Sequence, residues 1–267
     1  MNKLITSTQN AYIKELVLLK EKSRNRKKTG QFLIEGFREI SLAIKGGYTI
    51  ETLIIDTSIV DNQFIELIIS EIKSAVEIIE VSKEVYKKIA LRETTEGIIA
   101  ISKTKELSIE NFKLTSKNPL ILVAEAPEKP GNIGALLRTA DAAGIDAVFI
   151  ANPKTDMFNP NIIRTSVGCV FTTPIATGST EEIITFLKAH KIQMYGAALT
   201  ASVGYQTIDF KHPSAIIVGT EATGLSDEWL ENTTQNIIIP MRGAIDSMNV
   251  SVSAAVILFE AVRQRLL

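Results

Sequence analysis

The sequence predicts an α/β fold in which a mostly parallel sheet forms the second part and a smaller α/β domain the first. In the second part, short apolar runs recur at 120–125, 147–151 and 214–219, and segments with helical spacing separate them. Strands that are apolar throughout are typical of parallel sheets covered by helices on both faces. Ligands of such sheets bind at the carboxyl ends of the strands, so we expect functional residues there.

The remaining elements of the second part continue this alternation. Helical spacing predicts helices at 135–143, 162–167 and 181–190, and a further apolar strand lies at 193–198.

The first part alternates in the same way and has a typical domain size of about 100 residues. Its predicted strands are 31–36, 52–56, 77–81 and 97–102. Its predicted helices are 11–22, 37–44, 64–74 and 84–90, the last with Ser82 as N-cap. A polar stretch without clear periodicity follows. We therefore predict a first domain at 1–105, a linker at 106–118 and a second domain at 119–267.

Composition excludes several classes of protein. Of the 267 residues, 45% are apolar and 22% are charged, which is typical of a folded cytosolic protein rather than a disordered one. No apolar run reaches the roughly 18 residues that a membrane span needs, and the N-terminus lacks the apolar core of a signal peptide. We expect a cytoplasmic protein that does not bind a membrane.

Cysteine and histidine are too scarce to indicate a metal site or a Ser-His-Asp triad. Cys169 is the single cysteine, which excludes an internal disulfide and a cysteine-based zinc site. The two histidines, His190 and His212, are far apart in sequence, so the sequence offers little support for a metal cluster or a catalytic triad. We expect no bound metal.

A dense basic run lies at residues 20–28, although the net charge of the chain is only −1. Such a run can meet nucleic-acid phosphates, but it is equally typical of a solvated helix end. The residues alone leave both interpretations open.

The first of three polar loops follows the first strand of the second part. Gly131 and Gly134 allow the backbone to turn tightly, but G-x-x-G lacks the third glycine of the dinucleotide-binding fingerprint. Asn132 stands where a side chain can cap the following helix. Arg138 lies within that otherwise apolar helix, where it either has a functional role, points outward or pairs with a carboxylate such as Asp141.

The second loop places Glu221 between Gly219 and Gly224, directly after an apolar strand. A carboxylate at this position can accept N–H bonds or pair with Arg138. Ser226 then begins a helix whose first turn is acidic, as the helix dipole favours. Capping explains Ser226 but does not explain Glu221.

The third loop begins after a predicted strand at 236–239 and ends in a helix. One interpretation is that Ser247, Asn249 and Ser251 only cap the following helix. Arg242 and Asp246, however, supply more polar chemistry than one helix start requires. A strand, a loop and a helix N-terminus together present backbone N–H and C=O groups to a nucleotide-like ligand.

Taken in order, the three loops resemble the three motifs of the SpoU (TrmH-like) RNA ribose 2′-O-methyltransferases, a family of the SPOUT superfamily. The resemblance covers the chain from about residue 119 onward, and the first part is similar to the small substrate-binding domain of several members. The matching motif residues are Asn132, Gly134, Arg138, Thr139 and Ala140; Gly219, Glu221, Gly224 and Leu225; and Ile239, Pro240, Met241, Gly243, Ser247, Met248, Asn249, Val250 and Ser251. In the first part they are Phe32, Leu33, Ile34, Glu35, Gly36, Arg38, Gly97 and Ile98.

The resemblance implies a reaction, a cofactor and a fold. Members transfer a methyl group from S-adenosyl-L-methionine to a ribose 2′-hydroxyl, bind this cofactor in a deep trefoil knot, a rare feature of protein folds, and act as homodimers with the site near the subunit interface. The implied cofactor-binding residues are Leu199, Thr200, Gly219, Ile239 and Met248. The implied catalytic residues are Asn132, Arg138, Glu221, Ser247 and Asn249.

Arg138 carries the most specific expectation for the reaction. The ribose hydroxyl must be aligned with the methyl group and must lose its proton, and positioning alone can supply much of the rate. Because a guanidinium hardly deprotonates, we expect Arg138 to clamp the RNA and to stabilise the developing alkoxide. Glu221 is expected to orient Arg138 or the loop.

Two positions depart from the family pattern. Lys129 stands before Pro130 where members often have aspartate, and its positive charge favours RNA phosphate but leaves the subfamily open. Met248 stands where members often have leucine, a change that conserves volume.

Ribosomal RNA is the substrate that the resemblance favours, because members with this two-domain plan commonly act on it, and transfer RNA is the alternative. A separate N-terminal domain fits recognition of a folded RNA. A non-catalytic RNA-binding protein of the same fold and a Rossmann-type nucleotide enzyme are the interpretations from other classes. The expected RNA contacts are Lys22, Arg24, Arg26, Lys27, Lys28 and Arg38.

Overall fold

The computed structural model describes residues 3–92, 96–200, 202–220 and 222–267. Its strands are β1 (Lys3–Ile5), β2 (Gln31–Glu35), β3 (Ile50–Ile55), β4 (Glu77–Val81), β5 (Ile98–Lys103), β6 (Leu120–Glu125), β7 (Ala147–Ala151), β8 (Ile175–Gly178), β9 (Gln193–Ala197), β10 (Ser202–Gly204), β11 (Ser214–Val218) and β12 (Gln235–Ile238). Its α-helices are α1 (Ala11–Glu21), α2 (Ser23–Thr29), α3 (Phe37–Lys45), α4 (Asn62–Glu71), α5 (Lys83–Ile89), α6 (Pro130–Ala143), α7 (Pro160–Thr165), α8 (Thr180–Ala189), α9 (Asp227–Asn232) and α10 (Val250–Arg265).

The chain forms two compact units. The first unit consists of Met1–Lys105 and Thr155–Thr172, and the second of Glu106–Lys154 and Thr173–Leu267. The first unit therefore includes α7, a helix that lies in the second part of the sequence. The stretch 106–118, which we predicted as a linker, lies in the second unit, where Ile109 is buried in the core and Phe112 packs against it.

A five-stranded mixed sheet, in the order β1-β4-β3-β5-β2, forms the first unit. β5 is antiparallel to its neighbours β2 and β3, and the other pairs are parallel. The strands are rich in isoleucine, and Leu16 of α1 and Tyr86 of α5 share one core cluster with Ile54 and Ile99 of the sheet. Helices α2 and α3, which carry the predicted RNA contacts, both touch β2.

A seven-stranded sheet, in the order β10-β12-β9-β11-β6-β7-β8, forms the second unit, and its pairs are parallel. Helices cover both faces, as apolar strands require. Leu187 of α8 and Trp229 of α9 share a core cluster with Ile121 and Phe149. Helices α6 and α10 pack against each other and touch the central strands. The α/β class with a mostly parallel C-terminal sheet is confirmed.

Most predicted elements lie where the patterns placed them, but the end of one predicted helix and the start of another were wrong. The backbone of Lys22 is extended, with φ −116° and ψ 112°, so the predicted helix at 11–22 ends at Glu21 and the basic run forms the separate helix α2. The helix predicted to start at Ala135 starts at Pro130, a residue suited to the first helical turn. In the part of the chain that the structure describes, we find no helix with the length and apolarity of a membrane span.

One strained residue lies at the carboxyl end of β6. Ala126 has a φ of 41°, a left-handed conformation that costs an L-residue roughly 1–2 kcal/mol and that glycine adopts freely. We predict that Ala126→Gly raises the free energy of unfolding by roughly 0.5–1 kcal/mol, because the greater freedom of glycine in the unfolded chain offsets part of the gain. Urea denaturation measures this change. As a control, the reverse substitution Gly144→Ala, at φ 62° in open space, should lower the free energy of unfolding; a loss for both variants would contradict the prediction.

Candidate active site

A cleft of about 740 Å³ opens in the second unit at the carboxyl ends of β9, β11 and β12. Residues that follow these three strands supply most of the lining, within the ranges 197–200, 218–225 and 237–250. This position agrees with the expectation that ligands of parallel sheets bind beyond the strand ends. The second and third polar loops of the sequence therefore share one cleft.

The five predicted cofactor residues all line this cleft. They are Leu199, Thr200, Gly219, Ile239 and Met248. The lining also includes the hydroxyls of Thr220 and Thr223 and the carboxylate of Asp246, and no lysine or arginine is found among its described residues. The described part of the lining thus combines apolar walls with hydroxyl groups and the negative charge of Asp246. Whether these residues bind a cofactor stays a prediction.

Gly219 begins a tightly closed turn. The backbone N–H of Thr220 donates to the Gly224 carbonyl at 3.0 Å, and the Gly224 N–H donates back to the Thr220 carbonyl at 3.2 Å. A Cβ on Gly219 would lie 2.2 Å from the Gly224 carbonyl carbon, far inside van der Waals contact. Glycine is therefore required at this position to close the turn. Glu221, the predicted catalytic carboxylate of this loop, lies outside the residues that the structure describes.

Asn249 joins the first and third loops. Its side-chain oxygen caps α10 by accepting from the Ser251 N–H at 3.0 Å, which confirms the predicted N-cap role. Its side-chain amide donates to the Oδ1 of Asn132 at 3.3 Å. Contrary to the capping role suggested for it, Asn132 does not cap α6. Lys129 occupies the N-cap position, and its side chain makes no cap hydrogen bond. The Asn132 side chain is instead turned toward Asn249, at the rim of the cleft.

Ser247 and Arg138 are placed differently. Ser247 lines the cleft, and its Oγ donates to Asp246 Oδ1 at 3.0 Å. Arg138 is exposed on α6 and does not line the cleft. The suggested ion pair of Arg138 with Asp141 does not form within the described part of the chain, and the Arg138 side chain is exposed. The functional role of Arg138 stays a prediction. Arg138 forms no hydrogen bond with Asn132 or Asn249 in the single chain.

Comparison with known protein families gives a match of residues 119–259 to the SpoU rRNA Methylase family. The chain belongs to the SpoU rRNA methylase family. Residues 10–100 match the MRM3-like substrate binding domain. The family predicted from the three motifs and the resemblance of the first part to a substrate-binding domain are both confirmed.

Relatives of this SpoU-family chain match it over nearly its whole length. The Bacillus subtilis (strain 168) protein named 23S rRNA (guanosine(2553)-2'-O)-methyltransferase RlmP is 31% identical, over 96% of this chain and 98% of that protein. A crystal structure of an RNA 2'-O ribose methyltransferase is 39% identical, with a TM-score of 0.85 over 99% of this chain and 100% of that chain. An AdoMet-bound rRNA methyltransferase from Sinorhizobium meliloti is 28% identical, with a TM-score of 0.89 over 98% and 97% of the two chains.

Sequence reasoning missed two hydroxyl groups of the SpoU-family cleft. The Oγ1 atoms of Thr220 and Thr223 lie 2.8 Å apart, and the Thr223 N–H donates to Thr220 Oγ1 at 3.0 Å. The sequence could have indicated them, since both threonines lie close to Glu221 in the loop between Gly219 and Gly224. Neither His190 nor His212 lines the cleft, and within the described ranges no group of acidic, histidine or cysteine side chains is arranged to hold a metal ion.

The predicted RNA contacts lie in the first unit, and the prediction was wrong for one of them. Lys22, Arg24, Lys27 and Lys28 are exposed on or beside α2, and Arg38 is exposed on α3. Arg26, in contrast, is 2% exposed and forms an ion pair with Asp156. A guanidinium buried in this way cannot meet a phosphate, so we remove Arg26 from the set of RNA contacts.

Proposed function

We propose that this chain transfers the methyl group of S-adenosyl-L-methionine to a ribose 2′-hydroxyl of ribosomal RNA. The observation that carries the proposal is the cleft that the second and third loops form together, tied to the first loop by the hydrogen bond between Asn249 and Asn132. Three motifs that are far apart in sequence thereby meet at one edge of a parallel sheet. The names of the relatives support the same activity and ribosomal RNA as its substrate.

The residues of the cleft fit this cofactor in size and in charge. A volume of about 740 Å³ lies within the roughly 300–1,000 Å³ typical of small-molecule sites. Leu199, Ile239 and Met248 offer an apolar surface for a purine ring, and hydroxyl and backbone groups can bind a ribose. Asp246, without a described lysine or arginine in the lining, favours a cationic sulfonium over the phosphates of a dinucleotide. The charge pattern therefore argues against the Rossmann-type interpretation.

The side chains at the rim would position the RNA. The cofactor, when bound, supplies an electrophilic methyl group. Asn132 and Asn249 hold each other in one orientation, and we propose that these two polar side chains near the rim bind the ribose. Such positioning lowers the barrier by aligning the 2′-oxygen before reaction. The Arg138 guanidinium would stabilise negative charge on that oxygen as the hydroxyl proton passes to solvent water and the methyl group moves from sulfur to oxygen. Glu221 is proposed to orient the arginine or its own loop.

The first unit is proposed to bind the ribosomal RNA. Its match to a substrate binding domain supports this role. Exposed cations on α2, together with Arg38, can meet backbone phosphates, which are the main source of affinity for nucleic acids. As an enzyme of ribosomal RNA, the protein would act in the cytoplasm.

We also propose the homodimer and the trefoil knot that the family resemblance implies, with the substrate-binding domain in the first unit and the methyltransferase domain in the second. Val252 and Phe259 are each 48% exposed on α10, which packs against α6, the helix of Arg138. Covering this surface with a second copy would bury apolar area and would place Arg138 close to a subunit interface. Light scattering tests the dimer, and the mass of a single chain in solution would contradict it.

Two measurements test the proposed function. Calorimetric titration should show saturable binding of S-adenosyl-L-methionine, whereas NADH, with its phosphates, should not bind. Radiolabelled cofactor should then label 23S rRNA transcripts, and the labelled nucleotide should resist alkaline cleavage at its 3′ side. Absence of cofactor binding at millimolar concentration would contradict the proposal. If the cofactor binds but only transfer RNA is labelled, the substrate would be transfer RNA and not ribosomal RNA.

A further inference from the structure

Helix α2 depends on contacts with other parts of the chain for its stability and its orientation. It has seven residues, whereas isolated helices shorter than about 12–15 residues are marginal in water. Its sequence contains no apolar residue that would pack it onto the sheet. Lys22, Arg24, Lys27 and Lys28 are exposed and repel one another. A contact outside the helix must therefore fix the direction in which these four cations point.

Arg26 supplies that contact. Its Nε donates to Asp156 Oδ1 at 3.0 Å and its Nη2 to Asp156 Oδ2 at 2.7 Å, a bidentate pair. Its Nη1 donates to the carbonyls of Leu19 at 2.7 Å and Lys20 at 3.1 Å, in the last turns of α1. One side chain thus links α1, α2 and a segment 130 residues further along the chain, all within the first unit.

The geometry makes this link specific to arginine and to a carboxylate. Four of the five guanidinium donors are used, and a lysine ammonium cannot reproduce the planar fork. Burial by itself would raise the pKa of the Asp156 carboxyl, but hydrogen bonding and the positive charge of Arg26 hold this pKa below its ordinary value. The Asp156 carboxylate therefore stays ionised at neutral pH and keeps both of its bonds to Arg26.

We propose that Arg26 and Asp156 are positioning residues for RNA binding, which hold α2 so that its exposed cations meet the phosphates of one ribosomal RNA segment together. The inference rests on the proposed function and deepens it. It assigns the RNA-binding surface to α2 and identifies the ion pair that orients this surface. Cations that are already oriented lose less conformational freedom on binding than cations on a mobile segment. The two residues themselves touch no RNA.

The test compares Asp156→Asn with the wild-type chain in binding to 23S rRNA transcribed in vitro, over a range of salt concentrations. We expect the dissociation constant near 0.1 M salt to rise about tenfold or more. The slope of its logarithm against the logarithm of salt should flatten by about 2, as expected when two or more phosphate contacts are lost. KM for the RNA should rise, while kcat at saturating RNA and KM for the cofactor should not change.

Asp56→Asn is the matched control. Asp56 is 2% exposed in the same unit and accepts hydrogen bonds from the N–H and Oγ of Ser58, so this variant also replaces a buried carboxylate by an amide. It should leave the salt slope unchanged. If Asp156→Asn is not folded at the assay temperature, Arg26→Lys keeps the charge but loses the fork and should give the same flattened slope.

A second comparison separates positioning from general destabilisation. The double substitution of Lys27 and Lys28 by alanine should weaken RNA binding strongly in the wild-type background and much less in the Asp156→Asn background. Equal losses in both backgrounds, or an unchanged slope in Asp156→Asn, would overturn the inference. If the wild-type chain itself neither binds nor methylates 23S rRNA, it is the proposed function that fails.

Discussion

Replacing Arg138 with alanine is expected to slow methyl transfer at saturating RNA and cofactor by about 100- to 1,000-fold. The guanidinium is exposed on α6, so its removal leaves no cavity and breaks no ion pair with a described residue. Its proposed role is to stabilise charge that develops on the ribose oxygen, and such a contact lowers kcat when it is lost. Cofactor binding should be unaffected, because Arg138 does not line the cleft. Single-turnover methylation of 23S rRNA measures the effect.

The matched control for Arg138 is Asp141→Asn, which changes an exposed charge on the same helix three residues later. We expect it to change the rate by less than about threefold, as do most exposed substitutions away from a site. Arg138→Lys should recover only part of the rate, because an ammonium keeps the charge but not the planar fork. Near wild-type methyl transfer by Arg138→Ala with intact RNA binding would show that Arg138 has no role in the reaction.

Local patterns predicted the sheet residues and the loops of the site because both depend on neighbouring residues. An apolar run such as 120–125 must be buried, and a loop that follows such a strand must lie at a sheet edge. The cleft between the second and third loops could therefore be anticipated. The predicted cap at Asn249 was correct for the same reason, since capping depends on the next two residues.

Contacts between distant residues could not be read from local patterns. The basic run looked uniformly solvated because nothing near Arg26 indicates a carboxylate partner, and Asp156 lies 130 residues away. The hydrogen bond between Asn132 and Asn249 spans 117 residues and depends on where α6 begins. Pro130 was the local signal for that start, and its preference for the first helical turn was overlooked. Membership of Thr155–Thr172 in the first unit is likewise a property of the folded chain.

Gly219→Ala is expected to weaken binding of S-adenosyl-L-methionine by at least about 100-fold, or roughly 3 kcal/mol. The added Cβ would lie 2.2 Å from the carbonyl carbon and oxygen of Gly224, and these are backbone atoms that no rotamer change can move away. The turn from Thr220 to Gly224 must therefore shift, and it forms one wall of the cleft. Calorimetric titration with the cofactor measures the loss.

The loss of cofactor binding must be separated from a loss of folding. Overpacking typically costs about 1–3 kcal/mol, so Gly219→Ala should still fold at 20 °C, which its thermal unfolding curve will show. Gly144→Ala is the control, because it adds the same methyl group at a glycine with a left-handed backbone, destabilises the same unit and does not line the cleft. It should melt earlier than the wild-type chain yet bind the cofactor normally. If Gly219→Ala also bound normally while folded, the turn would not form part of the cofactor site, and the cleft would have to bind its ligand through the third loop and the residues that follow β9.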